Sequence, residues 1–545
     1  MKTHRIFCLF IILCRILTIT PTPRYIADEN IAINCGSSGI SRANDERDWI
    51  GDMDSKFAPT EEPNHKSNTA KAEIQGTSDD VPYMTARLSN WQFTYMFPVT
   101  PGPKFVRLYF YSASYSGFER SKDFFTAKAG SFTLLANFSA SILANSLGYS
   151  NIYKEFCINV DKSQKLNLTF IPFSSNYYAF INGIEIVSMP EDLYYRPHNV
   201  ANGEELVPLY VGQDPQFYIN DSMALEMVYR LNVGGGSILP KEDTGMFRQW
   251  SDGTADYLLS EGANPRLVFM TLHYLYIPNY TAPDAVYLSA ISMGPNSTRN
   301  LMSNLTWGLP VDTGFNYLVR LHFCEIERKI IIPEARRFTI YIDYQLAQEA
   351  DVFGWTDGKY RPYFKDYVVM IRNKGESMHL LSIDLKPISD SDLKDAILNG
   401  VEVFKLSDQY GNLAGPNMVP PPLDQEPAPA ANKSKTKKAI FIAIGSGLGI
   451  LVVLTLVCCM VLCKVKKTRR FSSCHPLAKW WCRSRLDPYK REFSRRTASS
   501  LPGELCRYFR LDEIKTACNN FDEDLIIGVG GFGNVYKGLI EQGNV

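Results

Sequence analysis

One stretch of the 545 residues spaces its glycines as phosphate chemistry requires. In Ile527-Gly528-Val529-Gly530-Gly531-Phe532-Gly533-Asn534-Val535-Tyr536-Lys537-Gly538, the residues Gly528, Gly530 and Gly533 follow a G-x-G-x-x-G pattern. A turn of this kind between two strands lets backbone N–H groups lie over nucleotide phosphates, because a side chain at any of the three positions would block the approach. The bare pattern also fits a plain hairpin or the turn of a dinucleotide site, so the elements around it must decide.

Phe532, and Val535 two residues past the third glycine, turn the pattern into the protein-kinase form, and a helical FRLDEIKTACNNF precedes it at 509–521. That resemblance implies that Ile527 and Val535 flank an adenine while Gly528, Gly530 and Gly533 cover phosphates; Lys537 belongs to the V-Y-K-G tail and is not the phosphate-binding lysine. Residues 512–545 therefore read as the start of a kinase domain. The sequence reaches Val545 without the strand lysine, the catalytic-loop Asp, or the Asp and Asn that hold Mg²⁺. No catalytic residue is assigned. ATP and Mg²⁺ serve a complete domain of this kind, and neither is expected to bind well to this chain. An isolated hairpin is marginal in water, so residues 522–545 are expected to be poorly ordered. The expectation is a fragment of a longer receptor kinase, with a kinase-dead decoy that binds ligand without signalling as the alternative. His475 between Cys474 and Cys482 lacks paired C-x-x-C spacing, so no metal site is assigned.

Such a loop needs a compartment, and Ala439–Cys463 sets it: 25 residues without a charge. At about 1.5 Å per residue a helix of this length reaches roughly 37 Å, enough to cross a hydrocarbon core of about 30 Å. Lys464, Lys466, Lys467, Arg469 and Arg470 follow at once, which places the C-terminal side in the cytoplasm. At the other end, Lys2 and Arg5 precede the apolar run Ile6–Cys14, so residues 1–20 read as a signal peptide. The chain is thus expected at the plasma membrane as a single-pass type I protein with its N-terminus outside. Gly445 and Gly449 form a small-xxx-small face through which two spans can dimerise. Residues 464–511 hold 14 basic groups against 3 acidic ones, with Trp480 and Trp481 among them, and suit anionic membrane lipid.

Zero net charge overall hides an asymmetry: residues 21–438 carry 38 basic and 48 acidic groups, net −10, and 464–545 carry 16 and 9, net +7. The outer part should steer basic partners toward itself. Seven Asn-X-Ser/Thr sequons, Asn137, Asn167, Asn220, Asn279, Asn296, Asn304 and Asn432, all fall on the side assigned outside, where glycosylation is open to them. Only Cys35, Cys157 and Cys324 lie there besides the leader, so at most one bridge can form and the ectodomain cannot depend on a disulfide framework.

The outer part repeats itself. Phe97-Pro98-Val99 before FVRLYF (105–110) is echoed by Leu309-Pro310-Val311 before YLVRLHF (317–323), Phe132-Thr133-Leu134 by Phe338-Thr339-Ile340, and Asn182-Gly183-Ile184-Glu185-Ile186 by Asn399-Gly400-Val401-Glu402-Val403. Offsets of 212, 213, 206 and 217 mean two copies of one domain, 25–190 and 208–406. Within each, Val106, Leu108 and Phe110 alternate with Arg107, Tyr109 and Tyr111, and Phe338, Ile340 and Ile342 with Thr339, Tyr341 and Asp343. Short alternating runs bounded by turn residues predict antiparallel β-sandwiches or jelly rolls. The Asn-Gly pairs at 182 and 399 predict tight hairpin turns into the last strand. Residues 408–438, rich in Pro, Ala and Lys, predict an extended stalk.

YIAD at 25–28, INCGS at 33–37, RLYFY at 107–111, FTLLANFSA at 132–140, FINGIEI at 180–186, LVRLHFCEI at 318–326 and ILNGVEVFKLS at 397–407, with LIIGVGGFGNVYKG at 525–538, together resemble the FERONIA-type malectin-like receptor-like kinases of plants. The resemblance implies a mainly β ectodomain of two tandem malectin-like β-sandwiches, one transmembrane helix and an incomplete N-terminal kinase lobe. It also implies the partners: a secreted peptide of the rapid alkalinization factor type and a GPI-anchored co-receptor of the LORELEI type. The expectation is that both copies form one rigid unit whose cleft binds a basic peptide. Cell-wall polysaccharide is the alternative ligand, with Tyr109, Tyr111, Tyr115 and Phe118 as a sugar platform, although such aromatics more often fill a core. No nucleic-acid partner is expected.

Overall fold

Runs rich in Val, Ile, Phe and Tyr fold as strands because such side chains pack best on a pleated surface. In the computed structural model, which describes residues 25–73, 81–196, 207–213, 216–252, 254–417, 515, 526–530 and 533–536, they build one eleven-stranded sheet shared by both copies. Its order is Leu209–Tyr210, Tyr363–Ile371, Phe315–Phe323, Gly400–Leu406, Leu225–Asn232, Asn151–Val160, Gly102–Tyr111, Gly183–Ser188, Asn30–Asn34, Asp48–Gly51 and Ile40–Arg42. The copies meet where Asn151–Val160 pairs antiparallel with Leu225–Asn232 through Glu155↔Met227, Phe156↔Glu226 and Cys157↔Leu225.

Over each half lies a second sheet. The first copy supplies Phe132–Ser139, Phe124–Ala129, Lys165–Pro172, Phe93–Pro98 and Thr60–Glu61; the second supplies Leu305–Asp312, Met378–Pro387, Phe338–Ile342 and Gln345–Ala350. Each sandwich closes on its own core, around Tyr95, Leu108, Phe110 and Phe170 in one copy and Trp307, Val319, Ile340 and Ile383 in the other. The sandwich expectation therefore holds, with one correction to the repeat. Phe338–Ile342 is flanked by Met378–Pro387 and the following strand, as Phe124–Ala129 is flanked by Lys165–Pro172 and the following strand. The equivalent of Phe338 is thus Phe125, one strand before the matched Phe132. Two successive strands both carry Phe-Thr, and only position in the sheet separates them.

A third apolar cluster covers the opposite face of the shared sheet and crosses the junction: Phe105, Cys157, Val187, Leu193, Tyr194, Tyr195, Leu225, Met246, Leu318, Val368 and Phe404. For this reason the strand Gly102–Tyr111 is buried on both faces, and Arg107 is 2% exposed rather than turned to solvent. Leu193, Tyr194 and Tyr195, in the stretch read as a joint between copies, are plugs in this cluster. Cys35, Cys157 and Cys324 are all buried and free, so no bridge forms among them.

The Asn-Gly hairpins do not occur. Asn182 and Asn399 stand where the chain leaves a short strand of a three-stranded sheet, Ala179–Ile181 or Ile397–Leu398, and enters the shared sheet. Both are fully buried. Asn182 accepts the Tyr111 N–H at 2.7 Å and donates to the carbonyls of Tyr83 and Thr85; Asn399 accepts the Cys324 N–H at 2.8 Å and donates to those of Tyr287 and Ser289. The glycines follow from close approach, not turn geometry: a Cβ on Gly183 would meet the Pro82 ring at 2.5 Å, and one on Gly400 would meet Val286 at 2.6 Å.

The first part of the stretch read as a stalk, residues 408–417, is folded. After Leu406 the chain folds back across the first copy: Leu413 N–H donates to Thr133 O, Thr133 N–H donates to Gly411 O, and Leu413 is fully buried in the first copy's core. Residues 408–417 are therefore a strap, tied further by Asn417 to Ser139 N and Asn137 O. The leader 1–20, the remaining stalk 418–438 with Asn432, the apolar stretch 439–463 with Gly445 and Gly449, and the basic segment 464–511 lie outside the described residues. Among the described residues no helix is long and apolar enough to cross a membrane.

The unit 430–545 is separate. Within it Ile526–Gly530 pairs antiparallel with Gly533–Tyr536, closing at Gly530↔Gly533, with a register shift between Ile526 and Gly528. The two strands read from the glycines are present and paired; Gly531 and Phe532 lie outside the described residues, and of 509–521 only Lys515, in helix, is described.

Candidate functional site

Repeated Arg and Glu residues inside otherwise apolar strands organise the junction. Register places Arg107 opposite Glu155 on one neighbour and Glu185 on the other, and the second copy repeats this as Arg320 opposite Asp366 and Glu402. Arg230 joins the two sets, its guanidinium 2.8 Å from both Glu155 and Glu402. Charges of alternating sign thus run across the junction, all of them buried. Removing one partner of such a pair costs about 3–5 kcal/mol, since the other is left charged and unpaired; the ladder fixes how the copies seat. Burial alone would raise the Glu402 carboxyl, but Arg230, His322 and Arg248 hold it far below the carboxylate range. Burial pushes His322 down, so it is neutral: Nε2–H donates to Glu402 at 3.1 Å and Nδ1 accepts from the Tyr287 hydroxyl at 2.9 Å.

Beside this ladder the copies leave a cleft of about 240 Å³. Trp49, Tyr83, Tyr109 and Tyr153 form its first-copy wall; Pro240, Lys241, Phe247 and Gln249 face them from the second. Trp49 meets Tyr109 edge-on at 5.3 Å, and Tyr153 stacks on Tyr109 at 6.0 Å. Arg47 reaches across, 4.7 Å over the Phe247 ring, and is held by Asp45 at 2.6 Å and Glu185 at 2.5 Å. Tyr109 donates to Glu185 at 2.6 Å, and burial together with that carboxylate raises its hydroxyl well above the ordinary range.

Charges in and beneath the lining nearly balance. Arg47 and Arg107 line the cleft already paired with Asp45, Glu155 and Glu185, and Lys241 adds one further positive charge. The net −10 of residues 21–438 is spread over other surfaces. Flat aromatic walls beside a lysine suit a polyhydroxyl or acidic ligand.

The structure sorts the sugar-platform residues as well. Tyr111 and Tyr115 are core, with Tyr115 donating to Tyr111 O; Phe118 packs on Tyr178 at 5.0 Å; only Tyr109 reaches the cleft. Arg47 with Trp49, Tyr153 and Phe247 come from three distant segments, which no spacing rule connects. Arg107 and Arg320, with Glu185 and Glu402, did carry a signal: one charge at the same place in both repeats of an apolar strand. Of the sequons, Asn137, Asn167, Asn220 and Asn296 are exposed, while Asn279 and Asn304 are half-buried.

Comparison with known proteins fits this architecture. The malectin-like domain family matches residues 33–406. The receptor-like protein kinase FERONIA of Arabidopsis thaliana is 40% identical over 558 residues, covering 98% of this chain and 61% of that protein. The chain thus spans about three fifths of the length of that relative. The crystal structure of the plant receptor-like kinase FER matches with a TM-score of 0.65 at 44% identity, over 72% of this chain and 100% of that one. A crystal structure of the plant peptide RALF23 in complex with FER and LLG2 matches with a TM-score of 0.64 at 43% identity, over 73% and 100%. The chain belongs to the FERONIA-like family of malectin-like receptor-like kinases.

Proposed function

We propose that this chain is the ligand-binding and membrane-anchoring part of a plasma-membrane receptor whose ectodomain takes a secreted basic peptide together with a GPI-anchored co-receptor. One observation carries the reading: residues 25–417 fold as a single unit across both copies, in the arrangement of the FER ectodomain that forms a complex with RALF23 and LLG2. A body welded in this way offers a preorganised surface, so binding costs little ordering. Single-pass anchoring rests on the apolar stretch 439–463, and signalling through a serine/threonine kinase rests on the glycine spacing at 528, 530 and 533 between the paired strands Ile526–Gly530 and Gly533–Tyr536. When bound to a complete kinase lobe, ATP with Mg²⁺ supplies the phosphoryl group; here Gly528, Gly530 and Gly533 would leave room for its phosphates.

The aromatic cleft with Lys241 in its wall supports a second reading, binding of an acidic cell-wall saccharide. Isothermal titration of purified 25–417, ending after the strap, with rapid alkalinization factor peptides and with pectin or glucose oligomers separates the two. Peptide binding that survives Lys241→Ala and Phe247→Ala, with saccharide binding lost in both, places the ligands on separate surfaces. Tight saccharide binding with no peptide binding would overturn the first reading.

A further inference from the structure

A second cavity, of about 590 Å³, lies in the second copy and falls within the roughly 300–1,000 Å³ usual for ligand pockets. Among the described residues no Lys, Arg or His lines it; Glu242, Asp243 and Asp284 do. Its apolar lip is unusually bare, with Leu267 62% and Phe269 87% exposed. One further wall residue is Asn279, the acceptor of an Asn-Tyr-Thr sequon, half-buried and with no hydrogen bond to its carboxamide among the described residues. The backbone behind it is fixed: Arg248 donates to Tyr280 O at 2.9 Å and to Thr281 O at 2.8 Å while paired with Asp243 at 3.0 Å.

We propose that this cavity is the seat of the chain's own N-linked glycan, rooted at Asn279, rather than a site for a diffusible ligand. The inference rests on the extracellular placement proposed above. A polyprenyl-pyrophosphate-linked oligosaccharide is the donor: the Asn279 Nδ2–C1 bond forms, the C1–O bond to pyrophosphate breaks, the pyrophosphate leaves with the electron pair, and the amide gives up one proton. Thr281 is only 2% exposed in the folded chain, so transfer precedes closure of this region. The first two N-acetylglucosamine units then lie in the cavity. Their apolar faces cover Phe269, and their hydroxyl and acetamide N–H groups donate to Asp284 and Glu242. A tether in the wall gives these sugars an effective concentration that no free ligand matches.

Site-resolved mass spectrometry of the full chain, produced in a glycosylating secretory host and treated under native conditions with peptide:N-glycanase in ¹⁸O water, tests this. The Asn279 glycan should be released at least about tenfold more slowly than those on the exposed Asn167 and Asn220, because release needs local opening. Phe269→Ala, a change at an exposed side chain that leaves the core intact, should narrow that gap without altering the rate at Asn167. Release at Asn279 as fast as at Asn167, no effect of Phe269→Ala, or an unmodified Asn279 among occupied sequons would overturn the proposal. No glycan at any sequon would overturn the extracellular placement with it.

Discussion

Glu226 shows how a single carboxylate ties the copies together. It accepts from Lys154 of the first copy and Lys405 of the second, each at 2.7 Å. Burial would raise its pKa, but the two ammoniums hold it down to about 2 from the ordinary 4.5. A depressed carboxylate contributes stability that is complete above about pH 4.5 and is lost as pH falls toward 2. Glu226→Gln should therefore cost about 3 kcal/mol at pH 7, with the difference from the parent closing as pH falls from about 4.5 toward 2, as read from urea midpoints across pH. Asp123 runs the other way. It caps the helix Ala140–Leu147 through Ser139 and Ser141, and burial raises it to about 6 from 3.8. Its proton is bound more tightly in the folded chain, so its contribution is present below about pH 4 and is lost as pH rises through 6. Asp123→Asn keeps a cap without a buried charge; it should raise stability at pH 7 by about 2 kcal/mol and flatten the slope between pH 4 and 6.

The strap 408–417 binds back on the copy that precedes it in sequence. Leu413 fills the first core, Lys405 donates to Leu413 O at 2.9 Å, and Asn417 reaches Ser139 and Asn137. Leu413→Ala should cost about 2–4 kcal/mol and speed amide exchange at Thr133 and Leu413 together, because one contact anchors both backbone bonds. A polypeptide ended at 406 should show the same loss. Equal unfolding midpoints for 25–406 and 25–417 would show that the strap contributes no stability.

Over the whole ectodomain, one sheet and one buried charge ladder cross the junction, and a third apolar cluster seals its second face. Two sandwiches sharing so much surface cannot unfold singly without exposing Arg107, Glu155, Arg230 and Glu402 unpaired. Calorimetry of 25–417 should give one cooperative transition with calorimetric and van't Hoff enthalpies in agreement. Two resolved transitions would mean that the junction is weaker than its contacts indicate.

Local pattern in the sequence was enough to determine the repeat, the β-sandwich class, the glycine hairpin and the family, because period-2 alternation and turn residues act over a few neighbours. It also held the Arg and Glu of the ladder in matching places, although nothing local reveals what they face. Tertiary structure alone decided that Phe125 rather than Phe132 matches Phe338, that Asn182 and Asn399 are buried crossings instead of hairpin turns, and that residues 408–417 form a strap. It alone brought Trp49, Tyr153 and Phe247 to one cleft and paired the arginines that line it. The reason is the same in each case: sheet position, burial and charge pairing depend on residues far apart in the chain, from 46 for Arg320 on Asp366 to 280 for Asn417 on Asn137, and no window of sequence contains both partners.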